Sequence, residues 1–176
     1  MGADIHVFVE FNNTTSDSIK WSCGDVFFYN RLSGYKYPFA RLGAYEGRNS
    51  ELFDILQNEV PQYGTPIEEP SDIFLEEWNS YKDGRYGINF ITVGELVDFY
   101  REIEFKNIFI DKGGLKFDEK AYVLYPFVID VLNRCLSLER AGVTPSVLLT
   151  NLLGKRKTLS RTIGGRYYRV LYFFDR

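Results

Sequence analysis

The sequence predicts an α+β protein, a mostly antiparallel sheet that contains both terminal strands and is packed by about three to four helices. Three observations carry this. Residues 3–11 alternate between two kinds of side chain from the very start of the chain. Residues 166–174 are almost all aromatic or β-branched, which reads as the last strand. Between them lie segments with apolar residues at helical spacing. At 176 residues, with no internal repeat and no linker composition, the chain reads as one domain, 1–176.

In the first strand, neighbouring side chains point to opposite faces. Ile5, Val7 and Val9 form an apolar face. Asp4, His6, Phe8 and Glu10 form the other, and His6 is the only histidine in the chain. Residues 12–18 are a polar turn, and 19–29 read as a returning strand broken at Cys23-Gly24-Asp25, so the two form a hairpin. Residues 30–47 are a loop rich in glycine and tyrosine.

Asn49 is placed to cap a helix running to about Gln57, with Leu52, Phe53 and Leu56 inward. Pro61, Pro66 and Pro70 keep 58–71 irregular. Residues 72–79 predict a short helix, 81–87 a turn and 88–91 a short extended piece. Thr92-x-x-Glu95 is a capping box, opening a helix whose stripe is Val93, Leu96, Val97, Tyr100 and Ile103. Asp111-Lys112-Gly113-Gly114 is a turn. The longest helix is predicted from about Asp118 to Ala141, stopped by Gly142, with Pro126 expected to kink it or shift its start. Thr144 and Pro145 open a further short helix. The basic, glycine-bearing run 154–165 reads as a loop.

A net charge of −3 argues against duplex nucleic acid as the main partner, since that needs a broad basic footprint. Two cysteines, Cys23 and Cys135, show neither metal spacing nor a disulfide framework. No signal-peptide pattern and no uninterrupted apolar run of about 18 residues is present, so no membrane partner is expected and the expected location is cytoplasmic.

The Asp4/His6/Glu10 face is the first candidate for chemistry. Glu10 lies about 13 Å from His6 along an extended strand, so the three cannot share an ion without a bulge; no metal and no cofactor is expected. A histidine held by a carboxylate is a plausible proton carrier, and Asp4 is expected to fix the His6 tautomer. No nucleophile elbow, phosphate-binding loop or dinucleotide fingerprint accompanies it. The second candidate is a set of arginines, Arg31, Arg41, Arg48, Arg85, Arg166 and Arg169, scattered among tyrosines and glycines. Arginine clamps phosphate through two parallel N–H bonds and stacks on planar rings. The plain alternative is that most are solvated or pair with surface carboxylates. Arg48-Asn49 precedes a helix start, where free N–H groups favour an anion. Trp78 and Tyr86 are candidates to stack on a base.

Four pieces together resemble a family of small phage-encoded proteins, mostly without an assigned function. They are Gly2-Ala3-Asp4-Ile5-His6…Glu10, Arg48-Asn49-x-x-Leu52-Phe53, Trp78…Asp83-Gly84 leading to Thr92…Glu95-Leu96, and Arg169-Val170-Leu171-Tyr172-Phe173-Phe174-Asp175. The family pattern opens Gly-Cys-Asp-Ile-His and ends on an Arg-x-Val-Phe-x-Phe-Asp strand, and the matches span the chain in order. This sequence departs twice. Ala3 stands for the cysteine, and Arg85-Tyr86-Gly87 stands where the family carries His-Ser-His. The resemblance implies a phage protein at work in the cytoplasm of an infected bacterium.

The expected function is capture of a small phosphorylated, nucleotide-derived ligand, shielding a host immune signal without turning it over. Arg48, Arg85 and Arg169 are expected to hold phosphate, His6 and Asn49 to give polar contacts, and Trp78 or Tyr86 to stack. Tight capture favours a homo-oligomer. The alternatives are a hydrolase of such a nucleotide, with His6 and Asp4 catalytic, and an inhibitor of a host enzyme acting through loop 30–47.

Overall fold

The computed structural model describes residues 3–12, 20–25, 43–81, 84–106, 109–111, 114–116, 119–145 and 167–175. Arg31, Arg41, Arg166, most of loop 30–47, the basic run 154–165 and the body of the helix expected after Thr144 lie outside them.

The chain's two ends pair. β1 (Asp4–Asn12) and β7 (Tyr168–Asp175) run antiparallel in unbroken register from Asp4 opposite Asp175 to Phe11 opposite Tyr168. On the far edge of β1, β2 (Trp21–Cys23) pairs with its C-terminal part and β3 (Tyr45–Gly47) with its N-terminal part, both antiparallel. On the far edge of β7 lies β4 (Tyr86–Thr92), also antiparallel. Both terminal strands therefore sit in the interior of a five-stranded antiparallel sheet, as the α+β reading requires. A separate two-stranded antiparallel ribbon pairs β5 (Phe109–Asp111) with β6 (Gly114–Lys116), Asp111 opposite Gly114.

Four helices are described: α1 (Ser50–Asn58), α2 (Asp72–Ser80), α3 (Val93–Lys106) and α4 (Glu119–Arg140). The alternation in β1 sorts them into layers. Ile5, Val7, Val9 and Phe11 join Val170, Tyr172 and Phe174 of β7 in the large core, closed by Leu52 and Leu56 of α1, Leu96 of α3, and Leu124, Phe127 and Val131 of α4. The opposite face, with Phe8, Leu171 and Phe173, is covered by Phe74 and Trp78 of α2. The sheet is thus sandwiched, with three of the described helices on one side and one on the other.

The predicted caps form. Asn49 Oδ1 accepts from the amides of Glu51 (3.1 Å) and Leu52 (3.0 Å). The Thr92 amide donates to Glu95 Oε2 (3.1 Å) while the Glu95 amide donates to Thr92 Oγ1 (3.2 Å), closing the box. The long helix runs through Pro126 rather than stopping there. By length and hydropathy α4 is apolar enough to cross a membrane, but Leu124, Phe127, Val131, Cys135 and Leu138 are buried on the sheet.

Two features escape sequence periodicity. β3 falls inside the stretch read as a loop, because three residues carry too short a pattern. β4 is longer than predicted and contains a register shift between Tyr86 and Asn89. Phe90 stands opposite Leu171, but Tyr86 stands opposite Phe174, one residue out of step. Gly87 lies in the shift at φ +68°, where a side chain is strained, and a Cβ there would lie 2.6 Å from Phe174 Cδ2.

Candidate functional site

The register brings four charges into one row at the end of the sheet. Arg48 immediately follows Gly47, which pairs with Ile5, so Arg48 stands beside Asp4. Asp4 is opposite Asp175. Asp175 follows Phe174, which pairs with Tyr86, so Arg85 comes opposite Asp175 on its other side. The order across the sheet is Arg48, Asp4, Asp175, Arg85. Residues directly opposite in antiparallel strands have Cα atoms about 5 Å apart and share a face.

The members of the row are not paired symmetrically. Arg48 grips Asp4 with two prongs, Nε to Oδ1 at 2.9 Å and Nη2 to Oδ2 at 3.2 Å. Both are well exposed, 59% and 43%. The bond to Asp4 raises the Arg48 pKa further above its already high ordinary value. Asp175 instead accepts from His6, Nε2 to Oδ1 at 2.9 Å. Arg85 lies over the Trp78 ring at 4.4 Å, with Nη1 donating to the Trp78 carbonyl and to Asn79 Oδ1 (3.2 Å). Among the described residues Arg85 and Asp175 make no ion pair with each other. Among the described residues the Arg85 Nε and Nη2 groups and Asp175 Oδ2 accept or donate no hydrogen bond, and Asp175 also acts on Arg48 through its charge.

His6 is the post behind this row. It is 3% exposed, against 17% for Asp175. Its ring lies between Phe173 (centroids 4.8 Å apart) and Tyr81 (4.6 Å). With Nε2 donating to Asp175, the buried Nδ1 has no hydrogen-bond partner among the described residues. The carboxylate expected on His6 was Asp4; the structure puts Asp175 there. The cause is Arg48, which draws Asp4 toward β3, while Asp175 lies diagonally across the β1–β7 pair from His6, within reach. What could have found Asp175 is the pairing of the two ends in antiparallel register.

Arg169 does not join this row. It shares the sheet face of His6 but sits at the opposite end, with His6 opposite Phe173 and Arg169 opposite Glu10, about 13 Å along the strands. All three of its nitrogens are engaged. Nε reaches Glu10 Oε2 at 2.8 Å, Nη1 the Glu68 carbonyl at 2.8 Å, and Nη2 the Glu69 carbonyl at 3.0 Å. The guanidinium also stacks over Trp21 at 4.2 Å. Burial pulls its pKa below the ordinary arginine value, opposed by Glu10. Glu10 Oε1 in turn accepts from the Ser71 amide at 2.7 Å, just where α2 begins. This pair fastens 68–71 and the start of α2 to the sheet. It also holds Glu69, whose φ of +46° is strained for a residue with a side chain.

The remaining expected residues divide. Trp78 stands beside the row, edge-on to Phe173 at 5.3 Å. Tyr86 does not. The register shift turns it to the large core, where it packs on Phe174 and Phe53. The Asn49 side-chain oxygen is spent on capping α1. Among the described residues no three His, Cys, Asp or Glu side chains are grouped to hold a metal ion.

A cavity of about 290 Å³ lies elsewhere, between α1 and α4. Glu51, Asp54, Glu59 and Glu119 line it with a single cation, Lys120, which pairs with Glu59 at 2.6 Å. Such a lining repels phosphate. No family model, curated protein or solved structure matches this chain.

Proposed function

We propose that the protein binds a small phosphorylated, nucleotide-derived ligand at the sheet-end row. One observation carries the reading: Arg85 and Asp175 are neighbours of opposite charge, each held away from the other by a third group. Arg85 is fixed by Trp78 and Asn79, and Asp175 by His6. The gap between them offers an N–H fork on one side and a carboxylate oxygen on the other. A phosphate fits the fork. A sugar hydroxyl or base N–H fits the carboxylate, and one small molecule that carries both is a nucleotide. The guanidinium, planar over Trp78, is itself a surface on which a base stacks.

In this reading the protein is a phage product that sequesters a host nucleotide signal in the infected cell, in keeping with the resemblance of its motifs. His6 is a positioning residue, reaching the ligand through Asp175. The hydrolytic reading has the His6–Asp175 contact in its favour, a carboxylate orienting an imidazole.

The test is native mass spectrometry of protein purified from cells, followed by heat release of the bound molecule. Capture predicts an intact nucleotide, lost in Arg85→Ala, and an altered product favours hydrolysis. Protein that carries no small molecule and shows no thermal shift with any nucleotide of a broad panel overturns both.

A further inference from the structure

Resting on that reading, we infer that the row selects a singly charged phosphodiester over a doubly charged phosphomonoester. Arg48 is held by Asp4 through a two-pronged bond and is also drawn by Asp175, while Arg85 is held by Trp78 and Asn79 and pairs with no carboxylate among the described residues. Arg85 has one nitrogen tied down and two N–H groups left, a fork for two oxygens. A phosphodiester has two non-bridging oxygens that share one negative charge, which this fork satisfies completely. A phosphomonoester carries nearly two charges at neutral pH, with its second pKa near 6. Its third oxygen would face Asp175, where the other cation among the described residues, Arg48, is already held by Asp4. The carboxylate is fixed there by His6 and cannot swing away without losing that bond. It therefore acts as a charge filter and accepts a neutral donor of the ligand while opposing a second negative charge.

The experiment is isothermal titration at pH 7.5 and low salt, comparing 3′,5′-cyclic mononucleotides and dinucleoside monophosphates with the 5′-monophosphates of the same bases. The diesters are expected to bind roughly tenfold more tightly than the monoesters. Asp4→Asn, which releases Arg48 to serve as a second cation, is expected to bring the ratio close to one by strengthening monoester binding. Monoesters that bind wild-type protein as tightly as diesters overturn the selectivity and leave nucleotide capture standing. If neither class binds, capture at this row falls, and the selectivity with it.

Discussion

Arg85 and Asp175 stand opposite each other at the end of adjacent antiparallel strands and do not pair. Uncommitted opposite charges at adjoining positions ordinarily collapse into an ion pair. Here His6 takes one oxygen of Asp175, and the Trp78 ring and carbonyl take Arg85. The separation is built into side chains from β1 and α2, so it depends on the whole sandwich rather than on either strand.

His6→Phe separates positioning from packing. The phenyl ring keeps the contacts with Phe173 and Tyr81 and removes the buried, unpartnered Nδ1. Stability measured by urea unfolding is expected to change by no more than about 1 kcal/mol, because losing the Asp175 bond offsets relief of that nitrogen. Nucleotide affinity is expected to fall about tenfold, since Asp175 is then free to turn toward Arg85. Unchanged affinity would remove His6 from the site.

Gly87→Ala tests the register shift. The left-handed φ and the approach to Phe174 are expected to cost more than about 2 kcal/mol of unfolding free energy. If the shift is squeezed out, Arg85 moves to the other face. Ligand binding should then be lost even in the fraction that remains folded, which circular dichroism and titration read separately.

Glu10 and Arg169 are 0% and 4% exposed, so a single truncation strands a buried charge. Glu10→Leu or Arg169→Met is expected to cost about 3–5 kcal/mol, and the double variant Glu10→Leu/Arg169→Met less than the sum of the two singles. A double-mutant cycle in urea is the measurement. Additive costs would mean that the two groups do not act as a pair.

Burial drives the phenol pKa of Tyr168 and of Tyr172 upward; Tyr172 donates to the Leu56 carbonyl at 3.1 Å. The unfolded chain releases these protons near pH 10, and the folded protein holds them to higher pH. Their stabilisation is therefore complete below pH 10 and lost as pH rises beyond it, by about 1.4 kcal/mol per pH unit for each phenol. Urea midpoints measured from pH 8 to pH 11.5 should fall steeply above pH 10. Tyr172→Phe should be less stable at pH 7 and should show a shallower alkaline fall.

The strands at the two ends, the division of β1 into an apolar face and an Asp4/His6/Glu10 face, the Asn49 cap and the Thr92/Glu95 box were all legible in the sequence. These are local: alternation, capping spacing and helical periodicity act over a few residues. Which carboxylate meets His6, which arginine is buried and which faces outward were not legible. The choice of Asp175 over Asp4 needs the register that sets residues 169 apart in sequence side by side, and the competing pull of Arg48. The exchange of Tyr86 for Arg85 at the row follows from a single-residue shift at Gly87. Side-chain period in a strand is two, so one extra residue reverses every face beyond it. Pairing between distant strands sets that step, and no local pattern records it.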